Sequence, residues 1–169
     1  MPLIKTKQPV DFTQYTAVTV ANTTSETTLV STGEGALTIQ KNSFAAGKTF
    51  KVKAMGFYST TGTPTITFKF KAGSTVLVNS GALATSNDTS NAGFSFEALV
   101  TVYSVGASGT TYGQGVCIQD NLAPQLATNT STVTLDTTVN QALNLTVTWS
   151  AASASNTITL TNLVIEELN

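Results

Sequence analysis

Four lysines stand in two short pairs, Lys51/Lys53 and Lys69/Lys71, and make up half of the eight basic residues in the chain. Members of each pair are two residues apart, so on an extended chain both point to one face. Met55 and Phe57 continue the face of the first pair. The turn Thr61-Gly62-Thr63-Pro64 between the two segments predicts a hairpin, and its register sets Lys53 opposite Lys71. Like charges directly opposite are destabilising. An acidic partner, such as Glu166 and Glu167 of a neighbouring subunit, would relieve them. The alternative is a solvated face, or lysines that guard a sheet edge. Lys5 and Lys7, near the N-terminus, complete this candidate interface.

Other chemistry is thinly supplied. The chain has no histidine, which removes the commonest general base and the ordinary nucleophilic triads. Cys117 lies among Gly115, Val116 and Ile118 with no basic neighbour in sequence, and reads as a buried, inert thiol. A pair of carboxylates could hydrolyse a glycan. Glu34, Asp88, Glu97 and Asp136 are available, but the sequence sets no two of them together. The stretch from Asn87 and Asp88 to Asn91, and Asp120 with Asn121, could offer oxygens to calcium. Neither has the spacing of a known calcium loop, and turn-forming side chains account for both. The expectation is therefore no enzyme, no cofactor and no metal. The N-x-[ST] triplets at Asn22, Asn87, Asn129 and Asn144 are what chance gives in a chain this rich in Asn and Thr.

Composition bounds the rest. Charged residues are 10% of the chain, against about 25% in typical domains, so neutral polar groups must build the surface. Threonine supplies them, at roughly one residue in five, and Thr, Val, Ile, Phe and Tyr suit a pleated, half-buried surface. The net charge is −1 and the chain has no arginine, a poor endowment for nucleic acid, where Arg forks and a basic surplus do the work. A single cysteine allows no disulfide within the chain and fits a reducing cytoplasm. No stretch reaches the ~18 apolar residues of a membrane span, and the N-terminus does not read as a signal peptide. A soluble product made inside the cell is expected.

The elements that must position these residues are strands. From Gly93 to Gln119 the chain reads as two long strands joined by a glycine turn at Gly106 to Gly109. Phe94, Phe96, Ala98, Val100 and Val102 share one face of the first strand, the period of two that marks a half-buried strand. On the return strand Gly113, Gly115 and Cys117 leave one face almost bare, which predicts close approach by another layer. Thr49 to Thr60 sets Phe50, Val52, Ala54 and Tyr58 on one face, and Ile66, Phe68 and Phe70 line the inner face of Thr65 to Lys71. Near the C-terminus Ile158 and Leu160 share a face while Leu163 and Ile165 fall out of phase. A bulge at Thr161-Asn162 would restore it. Nine or ten strands without a helix predict an all-β, two-sheet antiparallel β-sandwich over residues 17–169, preceded by an extended N-terminal arm over residues 1–16, which is either a frayed terminus or a segment that orders on a neighbouring subunit.

Four stretches carry a resemblance: VTVANTTSETTLV from Val18, the segment from Phe57 through Leu83, the segment from Phe94 through Gly115, and NQALNLTVTWSAASASNTITLTNLVIEEL from Asn140. Together they resemble the small jelly-roll structural proteins of tailed bacteriophages. The resemblance implies a jelly roll, a homotrimer and a place on the virion. It implies a capsid decoration (cement) protein whose partner is the major capsid protein, with neither nucleic acid nor membrane involved. The alternative it leaves is a receptor-binding tip of a tail fibre or spike that recognises a host glycan. No functional residue carries over from it.

Overall fold

A computed structural model describes residues 11–120 and 122–169. In chain order its strands are β1 (Asp11–Gln14), β2 (Val18–Ala21), β3 (Thr27–Thr28), β4 (Gly33–Gly35), β5 (Thr38–Ile39), β6 (Thr49–Ser59), β7 (Thr65–Ala72), β8 (Thr75–Asn79), β9 (Leu83–Ala84), β10 (Ala92–Ser104), β11 (Gly109–Gln119), β12 (Gln125–Thr128), β13 (Val133–Leu135), β14 (Gln141–Trp149) and β15 (Thr157–Glu167). One turn of 3-10 helix, Lys41–Ser43, precedes β6. Every pairing is antiparallel. Nine strands form the large sheet, in the order β12-β11-β10-β6-β15-β1-β4 with β13 also on β11 and β2 also on β15. Six form the small sheet, β3-β14-β7-β8 with β5 on β14 and β9 on β7. The protein is an all-β, jelly-roll-like sandwich.

Alternation builds the core. β10 and β7 each bury every second side chain, and the two inner faces meet in one apolar layer. Phe68 of the small sheet stacks on Phe94 and Phe96 of the large one, with ring centroids 5.3 and 5.6 Å apart. Offset aromatic stacking of this kind adds to simple burial. Trp149 lies fully inside the same layer. The bare face of β11 turns inward: a Cβ on Gly113 would lie 2.6 Å from the Leu77 carbonyl oxygen and 2.6 Å from a Val78 methyl, both on β8. The second layer therefore approaches there to backbone contact, as the glycines predict. The register of β15 on β6 shifts between Leu160 and Asn162, and this bulge brings Leu163 and Ile165 back into the core.

Two expectations are corrected. The expected arm over residues 1–16 is shorter at its inner end. Residues 1–10, with Lys5 and Lys7, lie outside the described residues, but Asp11–Gln14 form β1, paired with both β15 and β4. Phe12 and Gln14 point inward, and the Gln14 side-chain oxygen accepts a hydrogen bond from the Ser31 backbone N–H at 2.8 Å. Four residues with a polar group at one inward position show too little alternation to be legible. The expected hairpin of β6 with β7 is also absent. β6 pairs with β10 and β15, whereas β7 pairs with β14, β8 and β9. The chain crosses from one sheet to the other at residues 60–64. The two apolar faces do coincide, but face to face across the sandwich rather than edge to edge.

Candidate functional site

The outer face of the large sheet is defined by register. Lys51, Lys53, Met55 and Phe57 alternate outward on β6. Their neighbours on β10 are Leu99, Glu97, Ser95 and Gly93; those on β15 are Glu166, Val164, Asn162 and Thr159. Beyond β10, β11 adds Gln114, Val116 and Ile118 opposite Leu99, Glu97 and Ser95, and β12 adds Leu126 beside Val116. Rows of side chains thus run across the sheet. One reads Val164, Lys53, Glu97, Val116, Leu126; the next reads Glu166, Lys51, Leu99, Gln114.

Charge on this face is balanced sideways. Lys53 Nζ lies 2.7 Å from Glu97 Oε1, and Lys51 Nζ 3.3 Å from Glu166 Oε1. Both pairs are about 40% exposed, so each contributes only about 0–1 kcal/mol to folding. Around them stand large apolar groups in contact with solvent. Of the eleven exposed among the described residues, eight belong to this face or its margin: Met55, Phe57, Leu99, Tyr103, Ile118, Leu126, Val164 and Leu168, with Leu99 49% and Leu126 74% exposed. Two shallow grooves flank the Lys53–Glu97 row. One, of about 510 Å³, runs between Lys51, Glu97, Leu99, Gln114 and Leu168. The other, of about 660 Å³, has Gly93 and Ser95 between Met55 and Ile118. Tyr103 and Tyr112 stack at the far end, with centroids 5.8 Å apart.

The sequence-predicted site is therefore split. Lys51, Lys53, Met55 and Phe57 do share a face. Lys69 and Lys71 lie on the outer face of the other sheet, where Glu26 receives both ammonium groups at 2.7 and 2.8 Å. Thr146 adds a third hydrogen bond to the same carboxylate at 3.0 Å. The Lys69 and Lys71 ammonium groups hold the Glu26 carboxyl down at about 2, against the residual desolvation. The expected clash of Lys53 with Lys71 does not arise. Nor do the C-terminal acids need a neighbouring subunit: Glu166 pairs with Lys51, and Glu167, almost wholly buried, lies 3.0 Å from Lys48. Glu97, Leu99, Ile118, Leu126 and Val164 are the residues that sequence reasoning left out of the site. For Leu99 a signal was available, because an apolar group at an outward position of β10 breaks the half-buried pattern.

Three of the four carboxylates considered for catalysis are engaged by other groups of the fold. Glu97 holds Lys53. Asp88 accepts the Gly62 backbone N–H at 2.6 Å, and sits at φ 44° in a turn. Asp136 accepts both the backbone N–H and the hydroxyl of Thr138, at 2.8 and 2.6 Å, and these bonds lower its pKa. Glu34 lies on the edge strand β4, opposite Thr13. Cys117 is buried, and desolvation pushes its thiol up to about 12.

No protein-family model matches the chain, and no curated protein matches it. Among solved structures it is similar to the marine PL-14 alginate lyase from Aplysia kurodai, at 10% identity and a TM-score of 0.40, over 73% of this chain and 71% of that one. This corrects the expected function. The similar structure is an enzyme, where the resemblance of phrasing implied a non-enzymatic capsid decoration protein or a receptor-binding tip, and no comparison supports either role. The expectation that the chain is no enzyme is corrected by the same finding. At this identity and TM-score the likeness transfers no substrate and no catalytic residue.

Proposed function

We propose that the protein is an assembly module, a rigid β-sandwich that docks on another protein surface through the outer face of its large sheet. The observation that carries this reading is the concentration of exposed apolar side chains on one sheet face. Single exposed apolar residues need no explanation, but a contiguous group rimmed by polar residues marks an interaction site. The small sheet gives the contrast within the same molecule. Its outer face presents Thr65, Thr67, Lys69 and Lys71 beside Asn144, Thr146 and Thr148, and Glu26 is strapped across it. That face is finished for water, whereas the face around Met55, Leu99 and Ile118 is not. Its mixture of apolar groups, tyrosines and paired charges matches the make-up of interfaces that form between separately folded partners.

Hydroxyl-radical footprinting tests the reading. Complexes that contain the protein, recovered from the cells that make it, are compared with the denatured chain. Met55, Phe57 and Leu99 are expected to be protected in the complex, while Tyr15 and Val139, exposed elsewhere, label freely. Equal labelling of all five residues in the complex overturns the docking reading.

A further inference from the structure

We infer that the occupant of this face is a second copy of the same chain, seated face to face about a two-fold axis that lies along the strands, midway between β6 and β10. The inference rests on the docking reading and names its partner. Such an axis carries β6 of one copy onto β10 of the other, and β15 onto β11, because neighbouring strands are equally spaced. An isologous interface needs a patch that complements itself under that operation. This one does in the rows nearest the axis.

In the central row, Lys53 of each copy falls on Glu97 of the other, so the two exposed ion pairs close into a ring of four alternating charges. Val164 falls on Val116 in the same row. Toward one end, Phe57 falls on Gly93. A side chain there would meet nothing within 4 Å, and the groove at Gly93 is open to receive a ring. Toward the other end, Lys51 lies over Leu99, where its aliphatic stem can cover the leucine while the ammonium stays on Glu166. Further along, Leu168, whose backbone N–H binds the Thr49 carbonyl, falls on Tyr112. At the axis acid meets base and valine meets valine, and Met55 falls on the small Ser95 as Phe57 does on Gly93; farther out Glu166 meets Gln114 and Ile118 meets Asn162.

The choice of axis is decided by the same register. Moved one strand over, between β6 and β15, the operation keeps Lys51 on Glu166 but puts Lys53 on Val164 and Leu99 on Asp11. Each arrangement sets one lysine over an apolar neighbour, so the difference is the acid: Asp11 against Leu99 takes the place of Val164 on Val116, and that costs free energy. Size is also adequate. Five rows over four strands project about 600 Å² per copy, or roughly 1,200 Å² for the pair, the lower bound of specific interfaces. Packed sheets cross at about 30°, so the match is tightest near the axis, where Lys53 and Glu97 sit.

The test is a charge exchange read by sedimentation equilibrium. The wild-type chain is expected to dimerise. Lys53→Glu puts four acids into the ring and Glu97→Lys puts four bases there, so either variant alone is expected to raise the dimer Kd by about ten-fold or more. An equimolar mixture of the two variants leaves like charges side by side within each copy but sets acid on base at every contact between copies, and is expected to form heterodimers at least about ten-fold tighter than either variant's homodimer. Each substitution breaks only an exposed pair, and far-ultraviolet circular dichroism checks that each variant folds. Gly93→Gln, which fills the seat of Phe57 without touching charge, is expected to weaken the dimer independently. A monomeric or trimeric wild type, dimers indifferent to the single variants, or a mixture that fails to recover would each overturn the inference. A monomer whose face is nevertheless protected in cellular complexes leaves the docking reading standing with a different partner.

Discussion

Replacing Gly113 by alanine should destabilise the protein, although strand propensity argues for the opposite sign. Glycine within a strand is unfavourable, and an added methyl ordinarily gains about 0.5–1 kcal/mol. Here the new Cβ would stand 2.6 Å from the Leu77 carbonyl oxygen, 2.6 Å from Val78 and 3.2 Å from Val100, where ordinary contact begins at 3.4 Å. Relief requires about 0.8 Å of movement, and the nearest obstacle is backbone of the opposite sheet rather than the free end of a side chain. Overpacking of this kind costs about 1–3 kcal/mol, and a backbone obstacle puts the expected net loss near 2 kcal/mol. For a chain of this length that lowers Tm by about 4–8 °C. Gly93→Ala is the internal control. It lies in the same sheet, on the adjacent strand, with open space at its Cβ, so at dilutions where the chain is monomeric it should be neutral or stabilising. Urea unfolding of both variants, with m-values compared, decides the matter. If Gly113→Ala matches or exceeds the wild type in stability, the close approach of β8 to β11 is wrong.

Other outcomes follow from the same geometry. Phe68→Ala removes a fully buried ring stacked on two others and should cost about 3–5 kcal/mol in urea unfolding; a loss under about 1 kcal/mol would mean that the sheets are not joined there. Glu26→Gln should cost about 1–3 kcal/mol at neutral pH, with the lower end favoured by partial exposure. Because the Glu26 carboxyl is depressed from 4.5 to about 2, its contribution is complete above pH 4.5 and disappears as the pH falls through 2. The stability gap between wild type and variant should therefore close across that window, and a gap constant down to pH 2 would refute the clamp. Cys117 should resist a thiol reagent in the folded protein at pH 8 and react at once in denaturant, since its thiol is buried and remains protonated; rapid labelling of the native chain would contradict its burial.

Parity made the faces legible and left the partners illegible. The alternation in Phe94 to Val102 and the phase break between Leu160 and Leu163 specify which side chains point inward, because a strand has a strict period of two. They therefore predict both the core and the bulge. Pairing is different. Parity states which face a residue takes, not which strand lies beside it, so the even positions of β6 and β7 agree equally well for a hairpin and for two opposed layers. The five residues from Thr60 to Pro64 serve as a crossover, although their composition reads as a turn. The charge pattern was misread as a consequence. Lys53 faces Glu97, forty-four positions along the chain, and Lys71 faces Glu26; neither partner is local, so no window of sequence contains the pair.

Those lateral pairs also bear on what the large sheet is for. The chain has eight basic and nine acidic residues, and four of the seventeen, Lys51, Lys53, Glu97 and Glu166, stand together near the middle of its most apolar face. Exposed pairs contribute little to folding, so stability does not account for placing them there. Solubility would be served as well by charges of one sign at the rim, where Leu126 and Leu168 stand instead. A pair of opposite charges in the middle of an apolar surface does something that neither role requires: it penalises every docking register except those that set acid on base, a penalty of several kcal/mol where like charges meet. On a face with an approximately flat apolar landscape, that penalty is what selects one orientation. The sparing use of charge elsewhere in the chain makes the central four informative, and it makes the charge exchange between positions 53 and 97 the measurement on which the assembly reading turns.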